Sequence, residues 1–275
     1  MSGNLAIVGI GPGDLKLVTP MAREAIEQAE IIVGYKPYIK LIESLLTKQE
    51  IEANGMTREV ERAQIAVEHA FSGKKVAVIS SGDAGIYAMG SLVYQMLQDK
   101  GWDKDHETKV TMVPGITAAN ACASLVGTPL GHDGCTISLS DLLTPWTLIE
   151  QRIDAAAQAD FSITFYNPRS RRRVNHIERA QEILLCYRDP NTPVAIIDNA
   201  YRGDEQSIQI SDLANFTDCE FAMTAAVIVG NSQSYLFDDK IITPRGYDNK
   251  YCFESGEVKQ GQKRGKALNT KELIA

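Results

Sequence analysis

The chain has 275 residues, 44% of them hydrophobic and 23% charged, enough to bury one large core or two modest ones and unlike the make-up of a disordered or collagenous chain. Its 35 acidic and 28 basic side chains leave a net charge of -7, so a broad nucleic-acid surface, which needs excess positive charge, is not expected. Apolar runs are of strand length, short of the roughly 18 residues a membrane span needs, and the opening MSGNLAIVGI shows no basic leader, so a soluble cytoplasmic protein without membrane partners is expected.

In chain order, Leu5 to Ile10 predicts a buried strand. Thr19 then caps a helix with Pro20 in its first turn, which places Met21, Ala22, Ala25, Ile26 and Ala29 on one face. Ile31 to Gly34 is a strand. Val60, Ala63, Val67, Ala70 and Phe71 recur at helical spacing with Gly73 as a stop, and Lys75 to Ser80 is the next strand. Ile86, Met89, Val93, Met96 and Leu97 mark another helix, Lys109 to Val113 a strand, and Pro114-Gly115 a break.

The rhythm then resumes with a small-residue helix, Ile116 to Leu125, a strand at Cys135 to Leu139 and a helix around Leu148, Ile149, Ile153 and Ala156. Strands at Phe161 to Phe165, Val194 to Asp198, Ser207 to Ile210 and Ala225 to Gly230 flank a helix carrying Val174, Ile177, Ile183 and Leu184. Such alternation predicts parallel strands joined by crossover helices, an α/β class with two domains, 1–114 and 115–247, followed by a polar tail at 248–275.

The chemistry gathers at strand ends. Gly9-Ile10-Gly11-Pro12-Gly13-Asp14 follows the first strand and looks like a nucleotide loop, but Asp14 stands where a dinucleotide fingerprint wants glycine, and Pro12 removes an N–H donor. A carboxylate there repels phosphate, so a neutral or cationic group is the better guest, with a plain tight turn as the bland alternative. Ser80 to Tyr87 ends another strand, where Gly82 and Gly85 let the backbone approach a flat ligand and Asp83 either accepts hydrogen bonds from ribose or an amine, or caps the following helix. Val113 to Asn120 repeats the small, hydrogen-bonding pattern, and three such loops suggest one crevice.

In the second half, Arg169, Arg171, Arg172 and Arg173 concentrate charge that suits carboxylates in bidentate forks, or that forms only a solvated helix entry. The histidines, His132 among them, lack metal-ligand spacing. Five cysteines, odd in number and without a C-x-x-C pair, predict reduced thiols and neither a disulfide framework nor a metal knuckle.

Gly9-x-Gly-Pro-Gly-Asp14, Ser81-Gly-Asp-Ala-Gly-Ile-Tyr87 and Pro114-Gly-Ile-Thr-Ala118, in this order, resemble the tetrapyrrole methylase family over about residues 4 to 247. Ser138 to Trp146, Phe165 to Arg171 and Thr243-Pro-Arg-Gly-Tyr247 are similar to its branch that methylates C17 of precorrin-3B, or of the cobalt-bearing counterpart cobalt-factor III. That resemblance implies a class III methyltransferase fold of two α/β domains with a cofactor cleft between them. It further implies C17 methylation coupled to ring contraction in cobalamin (vitamin B12) biosynthesis, and a homodimer.

S-adenosylmethionine, left as S-adenosylhomocysteine, would by the same resemblance contact Ser81, Gly82, Asp83, Ala84, Gly85, Ile86, Thr117, Ala118, Leu139, Tyr166, Thr224 and Ala225. Gly11, Pro12 and Gly13, with Arg169, Arg171 and Arg245, would face the tetrapyrrole and its carboxylates. Ring contraction moves protons, and Asp14, Asp141 and His132 are the candidate acids or bases. Another tetrapyrrole methylase, acting on uroporphyrinogen III or precorrin-4, is the nearest alternative; a nicotinamide oxidoreductase is disfavoured by Pro12 and Asp14, and a non-catalytic module would bind no methyl donor.

Overall fold

The structure is a computed structural model that describes residues 2–170, 173–220 and 224–270. Its first half is an all-parallel sheet of β1 (Asn4–Gly9), β2 (Ile31–Tyr35), β3 (Glu50–Asn54), β4 (Lys75–Ser80) and β5 (Lys109–Val113), in the order β3-β2-β4-β1-β5. The crossovers carry α1 (Pro20–Gln28), α2 (Lys36–Leu41), α3 (Glu59–Phe71) and α4 (Met89–Asp99). Thr19 caps α1, its hydroxyl accepting from the Ala22 amide at 3.1 Å, and Pro20 occupies the first turn, where no N–H is missed.

The central strands β1, β2 and β4 are apolar on both faces, as burial on both sides demands. Leu5, Ile7, Val33 and Val78 pack against Ala66, Val67, Val93 and Leu97 of α3 and α4, while Val8, Ile32 and Ile79 pack against Ala22, Ile26 and Ile39 of α1 and α2. Because β4, β1 and β5 are neighbours, the loops leaving their C-terminal ends emerge side by side along one sheet edge.

The second half contains α5 (Ala118–Leu125), β6 (Gly127–Thr128), β7 (Gly134–Ser138), α6 (Trp146–Gln158), β8 (Ser162–Tyr166), α7 (His176–Leu185), β9 (Pro193–Asp198), β10 (Ser207–Asp212), β11 (Ala226–Val229), β12 (Tyr235–Phe237) and β13 (Lys240–Ile242). Its main sheet runs β10-β9-β11-β8-β7. Here the expectation of parallel strands fails: β7 and β8 are parallel, but β11 is antiparallel to both β8 and β9, and β10 is antiparallel to β9. For β10 the reason is connection length, since residues 199–206 are too few for a crossover and form a hairpin-like return. A third, small sheet joins β12, β13 and β6.

Ile137, Leu139, Phe165 and Val227 bury one face of the main sheet under Ile149, Ile153, Ile177 and Leu184 of α6 and α7. The other face packs Ala195, Ile197 and Ile228 on Ala121 and Cys122 of α5. Residues 248–270 fold on themselves, with a Tyr251 to Val258 bridge and the Gln262 amide bracketing Asn269 through two 2.9 Å bonds. All five cysteines are free, and no helix among the described residues is long and apolar enough to cross a membrane.

Phe165 is fully buried on β8, between β7 and β11. Phe165→Ala should therefore lower stability by about 3–5 kcal/mol through the cavity it leaves, read as a fall in the urea unfolding midpoint. A midpoint equal to the wild type's would contradict the packing.

Candidate active site

Three glycine-bearing loops meet backbone to backbone at the edge of the parallel sheet. The Gly11 amide donates to the Gly82 carbonyl at 3.0 Å and the Gly82 amide to the Gly11 carbonyl at 2.7 Å, a two-bond bridge between the first and second loops. Both residues have left-handed backbone, with φ of +74° and +67°, which glycine adopts without penalty. The third loop comes closer still, since a Cβ on Gly115 would fall 2.1 Å from the Gly82 carbonyl oxygen. Asp83 closes this arrangement: one carboxylate oxygen accepts from the Gly85 amide at 2.8 Å and the other from the Gly115 amide at 3.0 Å. Its capping alternative thus acquires a longer reach, because the same carboxylate ties the second loop to the third.

The second lobe supplies the opposite wall. Tyr166, at the end of β8, shares a 2.7 Å hydrogen bond with the Thr117 hydroxyl and accepts from the Ala119 amide at 2.9 Å. Burial raises its pKa against those two bonds, so the phenol stays neutral at ordinary pH. Tyr87 lies against the Tyr166 ring, centroids 5.2 Å apart, and its hydroxyl donates to the Thr136 carbonyl at 3.0 Å, joining the lobes. Leu139 is buried, its amide donating to the Tyr166 carbonyl at 2.9 Å and its carbonyl 3.0 Å from His176 Nδ1.

Two hollows adjoin these loops. A narrow cavity of about 50 Å³ is lined by Pro12, Ser81, Gly82 and Ala118 on one side and by Asn199, Arg202 and Thr224 on the other. It gathers four of the twelve donor-binding residues that the family resemblance implies: Ser81, Gly82, Ala118 and Thr224. Thr117 and Tyr166 stand beside it, whereas Gly85 and Ile86 are exposed. Ala84 and Ala225 point their methyls into the two cores, which leaves only their backbone to offer. Cys122 also lines the cavity, and burial together with the charge of Asp198 pushes its thiol up to about 12, so it is a neutral wall atom.

The second hollow is an open cleft of about 820 Å³, within the range of small-molecule sites, which is about 300–1,000 Å³. Gly13, Asp14, Lys36, Lys40, Tyr201 and Arg202 line it. Lys36 and Lys40 are four apart on α2 and so share a face. Asp14 accepts from the Lys16 amide at 2.8 Å through one oxygen, which starts the helical turn Leu15–Leu17 and holds the carboxylate at the cleft wall.

Other expected residues are placed elsewhere. Arg169 pairs with Glu178 and, like the exposed Arg245, lines neither hollow; Arg171 lies outside the described residues. Asp141 sits 3.7 Å from His176 Nε2, and that imidazole stacks on Trp146 at 4.0 Å. His132 precedes β7, whereas Leu139 follows it, a separation of roughly 20 Å at about 3.3 Å per residue. There its Nδ1 accepts from the Asp133 amide at 2.7 Å. The structure therefore keeps Asp14 on the cleft but does not bring His132 or Asp141 to it.

Sequence reading passed over Lys36, Lys40, Arg202 and Tyr87's bridging role. The lysine pair had a signal in its i, i+4 spacing, masked by Pro37, which reads as a helix breaker but occupies the first turn of α2. Arg202 stands in no motif; it sits among Asn199, Tyr201 and Gly203, whose φ angles are +48°, +60° and +59°.

Residues 4–215 match the family model for tetrapyrrole (corrin/porphyrin) methylases. The chain is 53% identical over 257 residues to the cobalt-factor III methyltransferase of Priestia megaterium, covering 94% of this chain and 47% of that protein, so it spans about half of that relative's length. It is 47% identical over 246 residues to a probable cobalt-factor III C(17)-methyltransferase of Salmonella typhimurium, covering 88% of this chain and 99% of that one. Among solved structures, the methyltransferase CobJ superposes with a TM-score of 0.80 at 35% identity, over 88% of this chain and 100% of its own.

Two outcomes follow from this geometry. Gly115→Ala should destabilise the protein by about 1–3 kcal/mol, because a methyl cannot enter against the Gly82 carbonyl without backbone movement; an unaltered urea midpoint would show that the loops are not in contact. Iodoacetamide at pH 8 should label exposed Cys186 quickly and leave Cys122 unmodified in the native protein, as peptide mass spectrometry would show.

Proposed function

The chain belongs to the tetrapyrrole methylase family, and on that premise we propose that it transfers a methyl group from S-adenosylmethionine to C17 of cobalt-factor III with contraction of the macrocycle, a step of cobalamin biosynthesis. One observation carries the reading: a Cβ-free cradle between the lobes adjoins a wide cleft bearing Lys36, Lys40 and Arg202. The first suits a compact nucleoside and the second a large, flat acid. The relatives in which C17 or cobalt-factor III is named favour the cobalt-bearing substrate over metal-free precorrin-3B. A homodimer in the cytoplasm completes the reading, as the resemblance implies.

The residues fit the donor by their chemistry. Around the cavity, Ser81, Thr224 and the backbone of Gly82 and Ala118 offer hydrogen-bonding groups. The Asp83 carboxylate lies beside the cradle, and Pro12 supplies no N–H to a phosphate. A hollow of about 50 Å³ is too small for a nucleoside-sized guest, which must extend from it into the adjoining cleft.

When bound, the donor supplies an already activated sulfonium methyl. What remains for the protein is placement, worth up to roughly 7–11 kcal/mol of barrier. The stapled glycine loops hold one partner, and the walls of the cleft align the other. Ring contraction requires proton movement, and Asp14, one of the two carboxylates that line the cleft with Glu205, is the candidate acid or base there.

The test is to incubate the protein with S-adenosylmethionine and, separately, cobalt-factor III, precorrin-3B and uroporphyrinogen III, then to weigh the products. One added methyl on the cobalt-bearing substrate alone is expected; methylation of uroporphyrinogen III instead, or of nothing, overturns the assignment. Asp83→Ala should weaken donor binding by roughly tenfold in calorimetry, since two loop amides lose their acceptor. Asp14→Asn should slow formation of the contracted ring by about 10²- to 10⁴-fold while leaving donor affinity unchanged.

A further inference from the structure

Arg202 is the side chain common to both hollows: it lines the narrow cavity and the open cleft alike. Its guanidinium reaches across the lobes, Nε donating to the Pro12 carbonyl at 3.0 Å, Nη2 to the Ser81 hydroxyl at 3.4 Å and Nη1 to the Asn199 side-chain oxygen at 3.4 Å. Every one of these partners is neutral, and among the described residues no carboxylate forms an ion pair with it. The two longer contacts leave both terminal nitrogens with hydrogen-bonding capacity, since a guanidinium carries five N–H donors.

The surroundings sharpen this. Lys36 and Lys40 on the facing helix also lack carboxylate partners among the described residues, so the cleft presents three cations against Asp14 and Glu205. The loop that carries Arg202 is held without it: the Tyr201 hydroxyl bonds to Ser124 at 2.8 Å, the Tyr201 amide donates to Gln206 at 2.8 Å, and the Thr224 hydroxyl donates to Asn199 at 3.1 Å. A rigid loop thus presents an uncompensated, planar cation at the junction of two sites.

We propose that Arg202 grips a side-chain carboxylate of the macrocycle in a bidentate fork and thereby fixes which ring edge faces the methyl donor. This rests on the function proposed above. A guanidinium is suited to the task because its fork fixes direction as well as charge, whereas the lysines act as point charges that hold the remaining acid groups loosely. Its exchange of weak neutral acceptors for a carboxylate would occur only when the tetrapyrrole enters, so its energy appears in tetrapyrrole recognition more than in donor binding.

The experiment measures donor binding by calorimetry with S-adenosylhomocysteine, and steady-state methylation of cobalt-factor III, for wild type, Arg202→Ala and Arg202→Lys, with thermal unfolding as the check on folding. Arg202→Ala should raise the KM for the tetrapyrrole by about tenfold or more and flatten the fall of kcat/KM with added salt, while donor affinity falls by a clearly smaller factor. Arg202→Lys should recover part of the KM but place the methyl less uniformly, giving a second methylated product. Equal loss of donor and tetrapyrrole affinity would assign Arg202 to holding the lobes together, and an unchanged KM in the folded alanine variant would remove it from recognition altogether. If wild type itself methylates no tetrapyrrole, the underlying function fails; if wild type does and the variants match it, only the role of Arg202 falls.

Discussion

The close approach of Gly11, Gly82 and Gly115 is the constraint on which the rest of the site depends. Three loops leaving adjacent parallel strands are free, in principle, to splay apart, and a side chain at Gly9 or Gly115 would make them do so. With hydrogens alone at those positions, the Gly82 carbonyl lies where a Gly115 methyl would be, and reciprocal amide bonds lock Gly11 to Gly82. The result is a floor built of backbone, whose shape is set by covalent geometry instead of by rotamers. Such a floor loses little entropy when a ligand lands on it, which is what placement-driven chemistry requires. Asp83 belongs to the same logic, since a charge-assisted bond to an amide of another loop is stronger than a neutral one would be.

A floor is useful only if something faces it, and the second lobe is built for facing. Its sheet is mixed, and the short β9 to β10 return projects Asn199, Tyr201 and Arg202 towards the first lobe, where a long crossover helix would have covered them. Tyr87 makes the complementary link, its hydroxyl bonded to the Thr136 carbonyl across the lobes and its ring laid against that of Tyr166. The lobes keep their own cores, and the bonds named here between them are directional. Interfaces of that kind permit small relative motions.

Much of this was legible from residue order. The alternation of strand and helix, the cap at Thr19-Pro20 and the three strand-end loops all rest on local chemistry, and the structure shows each of them. What escaped depends on long-range pairing. Strand direction in the second sheet is decided by which neighbours a strand finds, and β11 reads the same whether its partners run with it or against it. The edge strand β3, Glu-Ile-Glu-Ala-Asn, is too polar to announce itself, and β6, β12 and β13 are only two or three residues long. The basic run from Arg169 drew attention by its density, yet Arg169 pairs with Glu178, whereas Lys36, Lys40 and Arg202 are scattered in sequence and converge only in space.

That convergence reconciles an acidic protein with the polyanionic substrate proposed for it. A net charge of -7 acts through water and salt, and beyond about 8–10 Å its field is largely screened. Within the cleft the relevant charges are those a few ångströms away, where three cations outnumber two carboxylates in a concave wall partly shielded from solvent. The global sign then governs solubility, and the local sign governs recognition. Had the cations been gathered in one run of adjacent positions, they would have served any anion. Spread over α2 and the loop after β9, they suit a ligand wide enough to touch both lobes at once, as the acid-rimmed macrocycle of the proposed reaction is, better than a single small anion.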